Sequence, residues 1–218
     1  MTKHFRRELE SIKKRILILG SLVEDRVRMA SGAIEAMNAE TAAAIIRSDY
    51  EIDQLEVELE EECLKVLALH QPVAVDLRFI IAVIKINNEL ERIGDQAVNI
   101  AQRIEVIAKR PRPPFSFDYS VMCEKAIRML KMSLDALVNL DVDLAYKVIM
   151  LDDEVDQMKK EAYDKMKQAV KELPERVGYY INLLLISRHL ERLADHCTNI
   201  AEEVIYLVEG EIFRHAKY

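Results

Sequence analysis

Four pairs of acidic residues share one spacing and occur at matching places in both halves of the chain. Within each pair the carboxylates stand four positions apart, which places them on one face of a helix, with Cβ atoms about 5–6 Å apart. Like charges at that spacing repel, so the arrangement is unfavourable unless a cation joins it. The pairs are Asp49 with Asp53, Glu91 with Asp95, Asp152 with Asp156, and Glu191 with Asp195.

The pairs in each half also lie at equal distances from a proline-containing turn. In the first half the acids before and after the turn are centred on Pro72, and in the second half they are centred beside Pro174. Equal distance from a turn means equal height in an antiparallel hairpin. The sequence therefore predicts that the four acids of each half lie at one level on two adjacent helices. It does not establish that they face one another.

Every donor in these pairs is a carboxylate oxygen. Oxygen donors suit hard cations such as Mg²⁺, Ca²⁺, Mn²⁺ or ferric iron better than a structural zinc site. Because carboxylates also bridge, one group of four could hold several ions. The alternative is that the acids are ordinary charges on solvated helix faces, since 32% of the residues are charged. Helix dipoles do not explain them, because all four pairs lie two or more turns from a predicted helix start.

Other motifs that carry chemistry are weaker or missing. His189 and His196 flank the second Glu–Asp pair, but the first half has Glu89 and Gln96 there, which favours surface histidines. The ExxH motif of di-iron bundles does not occur, which argues against an oxygen-activating enzyme. No Gly-rich phosphate loop or nucleophile elbow occurs either. The sequence therefore predicts a protein that is not an enzyme.

Composition and charge exclude several classes of protein. Half of the residues are apolar, and only five glycines and five prolines occur in 218 residues, which predicts a helical globular chain. The formal charge of −7 argues against nucleic-acid binding. No signal peptide or apolar run of about 20 residues is present, so we expect a cytoplasmic protein that meets membranes only through partners. Cys63, Cys123 and Cys197 are expected to be buried free thiols.

Prolines and N-capping residues divide the chain into six predicted helices. Pro72, Pro174 and the proline-rich segment 110–114 interrupt the helical periodicity of apolar residues, and Asn38 and Asp141 are predicted N-caps. An apolar stripe lies along one face of the third helix. Its residues are Ile86, Leu90, Ile93, Ala97, Ile100 and Ile104. The predicted helices are 4–36, 39–69, 73–108, 118–139, 142–171 and 175–209.

The two halves look like copies of one unit. DYEIDQL from Asp49 matches DDEVDQM from Asp152, and NNELERIGDQAVNIA from Asn87 matches SRHLERLADHCTNIA from Ser187. Short connections make neighbouring helices antiparallel. The predicted fold is therefore all-α, with six long helices in two tandem antiparallel three-helix bundles, 1–110 and 115–218.

The motifs LERIGDQAVNIA, LERLADHCTNIA and QPVAVDLR (from Gln71) resemble those of the PhoU family of phosphate-transport accessory and regulatory proteins. The resemblance covers nearly the whole chain. It implies a cytoplasmic negative regulator of the phosphate-starvation response. Such a protein links the phosphate ABC transporter, through its ATPase subunit PstB, to the sensor histidine kinase PhoR, and often forms a homodimer.

Some PhoU-like proteins bind multinuclear metal clusters through E/DxxxD motifs. The resemblance therefore implies bound metal ions here, with iron, manganese, magnesium and zinc all open as the metal. Carried over by position, the ligands of one cluster are Asp49, Asp53, Glu91 and Asp95, and those of the other are Asp152, Asp156, Glu191 and Asp195. The second turn reads LPERVGYY and lacks the QPVAVDLR form. A partner contact made at the first turn is therefore not necessarily duplicated.

Three functions stay open at this point. The leading hypothesis is a non-enzymatic regulator of phosphate uptake with two metal-binding acidic patches. The second is a metal-free helical adaptor or co-chaperone-like scaffold, in which glutamine would replace the acids without loss of function. The third is a metal-dependent hydrolase of phosphate esters, which lacks an evident general base or substrate pocket in the sequence.

Overall fold

The computed structural model describes residues 3–115 and 117–211. These residues form six helical rods, of which the second is broken into two helices. The first five helices are α1 (Lys3–Ala36), α2 (Ala39–Arg47), α3 (Tyr50–His70), α4 (Ala74–Ile107) and α5 (Tyr119–Asn139). They are followed by α6 (Val142–Glu172), a 3-10 turn (Pro174–Arg176) and α7 (Val177–Glu209). The predicted second helix, 39–69, is wrong in one respect, because it is interrupted between α2 and α3.

The predicted helix starts at Asn38 and Asp141 are confirmed. Asn38 Oδ1 accepts hydrogen bonds from the backbone N–H groups of Glu40 (2.9 Å) and Thr41 (3.1 Å). Asp141 Oδ1 accepts one from the N–H of Leu144 (2.9 Å). These side chains satisfy backbone donors that have no partner inside the helix.

Each half of the chain forms an antiparallel three-rod bundle. In the first half α1, α2 and α3 all pack on α4, and in the second half α5 and α6 pack on α7. The stripe predicted on α4 forms the centre of the first bundle, and all six of its residues are at most 1% exposed. The two helices that carry the repeated Glu–Asp motifs, α4 and α7, are therefore central in their bundles.

The two bundles pack side by side through α4 and α7 and through α1 and α5. On α4, Glu89 contacts His196 of α7, and Gln96 contacts His189, so α4 and α7 run antiparallel. The apolar core is continuous across this interface, from Phe5 to Leu207. Both Glu–Asp motifs are thus brought close to the line where the bundles meet.

The proposed division of the chain at the proline-rich segment stays a prediction. The predicted limits, 1–110 and 115–218, include residues 1–2, 116 and 212–218, which lie outside the described residues. Among the helices that the structure describes, none is long and apolar enough to cross a membrane. The three cysteines are free and buried, as predicted, and burial raises the pKa of Cys63 to about 12.

Candidate metal site

The acids of the first half lie where the break in the second rod meets the middle of α4. Asp49 is the residue before α3, and Asp53 belongs to the first turn of α3. Glu91 and Asp95 lie on the neighbouring helix α4. The prediction that all four acidic pairs lie far from a helix start is therefore wrong for Asp49 and Asp53, which the helix dipole favours.

A buried arginine from another helix accompanies the break. Arg26 of α1 is 5% exposed, and its Nη2 donates to the carbonyl oxygen of Ser48 (3.4 Å) and to Glu51 Oε2 (3.0 Å). The Ser48 hydroxyl donates to the carbonyl oxygen of Ala44 (2.8 Å) within α2. These side chains satisfy the backbone at the end of α2, so the helix can stop there at little cost.

Asp49, Asp53, Glu91 and Asp95 form the first acidic patch. Burial, followed by the charges of Asp53 and Asp95, raises the pKa of Asp49. Burial, followed by the charges of Asp95, Asp53 and Glu56, raises the pKa of Glu91 to about 7. The acids of the two helices are therefore close enough to interact electrostatically, Asp95 with Asp49 and Asp53 with Glu91. In the absence of a cation, the patch resists full ionisation.

The second acidic patch consists of Asp152, Asp156, Glu191 and Asp195. Burial raises the pKa of Asp152 to about 7, with the charges of Asp195 and Asp156 next in importance. Burial and the charge of Glu191 raise the pKa of Asp195. Here α6 is continuous, so Asp152 and Asp156 lie within a helix and not at its start. The second patch therefore has its first two acids inside a continuous helix, whereas the first patch has them at the start of a helix.

A lysine distinguishes the second patch from the first. Lys159 Nζ donates a hydrogen bond to Glu191 and forms an ion pair with it. The matching position in the first half is Glu56, whose charge adds to the repulsion on Glu91. Beside the glutamate of the Glu–Asp motif, the first patch thus has an acid where the second patch has a cation. In the sequence this difference falls at the position directly after the matched motifs DYEIDQL and DDEVDQM.

The helices that carry the first patch approach each other closely at Gly94, next to Asp95. A Cβ at Gly94 would lie 2.9 Å from Ile52 Cδ1 of α3. The matching pair in the second half is Ala194 and Val155. Alanine is one carbon larger than Gly94, and valine is one carbon smaller than Ile52. Both halves therefore achieve close packing below the acids, with different residues.

The carboxylates of each patch are neighbours but do not converge on one point. Among the described residues, no three of these eight acids bring ligand atoms within 4.8 Å of one another. Mutual repulsion favours this spread, since each carboxylate lowers its energy by moving away from the others. The arrangement fits several bridged cations spread over a face better than one tightly enclosed ion. Their role as metal ligands stays a prediction.

The interface between the bundles carries a polar pair that the sequence analysis missed. His196 is 7% exposed, and its Nδ1 donates to Glu89 Oε2 (2.7 Å), which also accepts from Asn199 Nδ2 (3.0 Å). His189 Nδ1 donates to Gln96 Oε1 (3.0 Å). The expectation of surface histidines is therefore wrong for His196, because α4 covers it. Only the contact between distant helices reveals this.

The two patches are linked electrostatically across this interface. His196 lowers the pKa of both Asp95 and Asp195, opposing the larger effects of burial and neighbouring acids that raise it. Arg192 of α7 acts on Asp95 of α4 in the same direction. His196 therefore interacts electrostatically with acids of both patches.

An acidic groove of about 610 Å³ lies beside the first patch, where α3, α4 and α7 meet. Glu56, Glu60 and Glu89 line it, together with Lys85, whose Nζ pairs with Glu203 (3.0 Å). At the positions of Glu56 and Glu60, the second half has Lys159 and Tyr163. The chain thus carries a larger acidic surface on its first half.

Fold and site together define an internally duplicated helical-bundle protein with a carboxylate patch in each half. The family model described as the PhoU domain matches the chain twice, over residues 16–104 and 119–204. The chain therefore belongs to the PhoU family.

Relatives match along nearly the whole chain. A PhoU homologue of Aquifex aeolicus, named a phosphate-specific transport system accessory protein, is 38% identical over 96% of this chain and 95% of its own. A protein with the same description from Pseudomonas aeruginosa is 35% identical over 99% of this chain and 89% of its own.

Solved structures agree with the fold. The crystal structure of PhoU from Pseudomonas aeruginosa superposes with a TM-score of 0.90 at 36% identity, over 95% of this chain and all of that one. The phosphate transport system regulatory protein PhoU from Streptococcus pneumoniae gives a TM-score of 0.86 at 28% identity, over 97% of this chain and all of that one. These matches support the two-bundle architecture independently of the motifs.

Proposed function

We propose that this protein is a non-enzymatic negative regulator of phosphate uptake and of phosphate-starvation signalling. The observation that carries the proposal is the full-length match, in both halves, to proteins named as accessory proteins of the phosphate-specific transport system. In this role the chain acts in the cytoplasm and connects the ATPase of the phosphate ABC transporter, PstB, to the sensor histidine kinase, PhoR. We also propose that it works as a homodimer.

We further propose that the two acidic patches hold metal ions, and their donor chemistry fits that role. All eight donors are carboxylates, which hard cations prefer. The raised pKa values of Glu91 and Asp152, each about 7, indicate charge that is poorly compensated in the metal-free chain. In the first patch Asp49, Asp53, Glu91 and Asp95 would hold the ions. In the second patch, Lys159 competes for Glu191.

Bound cations would supply positive charge at surfaces that are otherwise anionic. In this proposal the chain contributes four acids from neighbouring helices to each patch, from the start of α3 and from α4 in the first half, and from α6 and α7 in the second. Both patches lie near the α4–α7 interface, where His196 affects Asp95 and Asp195 alike. A partner with an acidic docking face would then bind the metal-loaded chain more tightly than the metal-free chain.

A complementation experiment tests this function. A strain of the source organism without this gene would receive either the native gene, Glu91→Gln with Glu191→Gln, or the control Glu105→Gln with Glu209→Gln. The control residues are exposed and lie on the same two helices, away from the patches. Phosphate uptake and the expression of phosphate-responsive genes would be measured in rich and poor phosphate.

The expected result is that the native and control genes restore repression in rich phosphate, and that the patch variant does not. Unchanged uptake and gene expression in the deletion strain would contradict the regulatory role itself. Full restoration by the patch variant would contradict the metal-binding part alone and favour a metal-free adaptor. Binding assays with purified PstB and the cytoplasmic part of PhoR would then separate the two partners.

A further inference from the structure

A cluster of metal-ligand side chains lies outside the acidic patches, where the start of α1 meets the end of α3. It consists of His4, Glu8 and His70. Among the described residues, this is the only group of three or more His, Cys, Asp or Glu whose ligand atoms all lie within 4.8 Å of one another. The distance from His4 Nε2 to Glu8 Oε1 is 3.6 Å, and His70 Nε2 hydrogen-bonds to Glu8 Oε2.

The separation of His4 and Glu8 is close to what a tetrahedral ion requires, whereas His70 hydrogen-bonds directly to Glu8 and would have to move apart from it as an ion enters. With bonds of about 2.0–2.2 Å, neighbouring ligand atoms of such a site lie about 3.3–3.6 Å apart. His4 and Glu8 stand four positions apart on α1, so they share a face, and His70 reaches them as the last residue of α3. The Phe5 ring lies 4.9 Å from the His70 ring and supports its position.

We propose that His4, Glu8 and His70 form a site for a divalent ion of the zinc class. Two imidazoles and one carboxylate suit zinc, cobalt or nickel, whereas the acidic patches offer oxygen alone. The Glu8 and His70 side chains are 18% and 19% exposed, while His4 is 74% exposed. The site is therefore open on the side of His4, where water can complete the coordination.

This site is separate from the acidic patches and goes beyond the proposed function. His70 is at the opposite end of α3 from Asp53, about 26 Å away along the helix. The position in the second half that corresponds to His70 is Leu173, which is not a ligand. The duplicated architecture of the acidic patches therefore does not extend to this site.

A bound ion would clamp the first turns of α1 to the α3–α4 turn. Gln71 lies in that turn and Ala74 begins α4 directly after it, and these non-glycine residues have φ values of 45° and 50°. Such conformations are unfavourable for residues with a side chain, so this connection gains from an added constraint. Because the ion binds the folded chain, zinc is expected to raise the unfolding temperature.

The direct test is histidine side-chain ¹⁵N NMR of the metal-free full chain during titration with Zn²⁺. The ring signals of His4 and His70 are expected to shift together at the first equivalent, while those of His189 and His196 stay in place. Zinc binding that leaves the His4 and His70 signals unchanged would overturn the proposal. Absence of zinc binding would overturn it as well.

Substitution adds a second readout. His4→Gln, Glu8→Gln and His70→Gln are each expected to weaken zinc binding by more than about 100-fold, beyond the loss typical of a supporting residue. Glu10→Gln removes the same charge two positions further along α1 and is the matched control. His4 is exposed, so its substitution tests the site without threatening the fold. An unchanged zinc affinity for His4→Gln would refute the three-ligand site.

Discussion

Replacing Glu91 by glutamine is expected to stabilise the metal-free protein. Burial and the neighbouring acids raise the pKa of this carboxyl from 4.5 to about 7. The folded chain therefore holds the proton to higher pH than the unfolded chain does. Stability is lost as the pH rises from about 4.5 to about 7, because ionisation is easier in the unfolded state. Glutamine has nearly the same shape and does not ionise, so it avoids this loss.

The magnitude follows from the same pKa difference. At about 1.4 kcal/mol per pKa unit, full burial would give about 3 kcal/mol. Glu91 is partly exposed, so solvent screening reduces the expected gain to about 1 kcal/mol above pH 7. Below about pH 4.5 the carboxyl is protonated in both states, and the gain should disappear.

The assay is urea unfolding followed by circular dichroism, with a chelator present, at about pH 8 and about pH 4.5. The native chain, Glu91→Gln and the control Glu105→Gln would be compared. The prediction is a higher unfolding midpoint for Glu91→Gln at the higher pH only. Equal or lower stability at the higher pH, or the same gain at both pH values, would refute the reasoning.

Three further predictions follow from the structure. Lys159→Gln removes the cation that pairs with Glu191, so we expect Mn²⁺ to bind the second patch roughly tenfold more tightly. Calorimetry would measure the affinity, and weaker binding than in the native chain would contradict this. Burial and neighbouring arginines lower the pKa of His189 to about 4, so acidification from about pH 6.5 should cost about 1–2 kcal/mol of stability. His189→Gln should lose less stability than the native chain in acid unfolding curves. An equal loss in both chains would contradict the assignment. Gly94→Ala should cost about 1 kcal/mol, because its methyl meets Ile52, and Ile52→Val in addition should recover part of that loss in thermal unfolding; additive destabilisation would contradict this.

Local signals in the sequence were enough to place most of the helices. Asn38 and Asp141 are predicted caps, and their side chains accept the expected backbone hydrogen bonds. The apolar stripe on α4 is buried as its periodicity indicates. These features depend on residues within a few positions of one another, so the sequence pattern alone reveals them.

Features that depend on distant residues were missed. The break before Asp49 involves Arg26, which reaches Ser48 from another helix. His196 is buried because α4 lies against it, and its partner Glu89 is more than one hundred positions away. The cluster of Glu8 and His70 likewise forms only when two helix ends meet. No local periodicity records which helix ends or faces come together.

The acidic patches lie between these two cases. The repeat was readable from the sequence, and the equal heights of the acids stay a prediction from spacing. The structure places Asp53 close enough to Asp95 for its charge to raise the pKa of Asp95. The difference between Glu56 and Lys159 was also visible, but its importance depends on the ion pair between Lys159 and Glu191. Side-chain contacts are needed to decide which of two similar patches carries more uncompensated charge.

The central claim, that the repeated acids bind metal, is tested most directly by elemental analysis. The native chain would be expressed with added iron and manganese, freed of loose ions by gel filtration, and compared with a variant carrying Asp53→Asn, Glu91→Gln, Asp156→Asn and Glu191→Gln. Glu105→Gln with Glu209→Gln is the control. The prediction is that the native and control chains retain iron or manganese and the fourfold variant does not. Equal metal content in the native chain and the variant, or none in either, would contradict the claim.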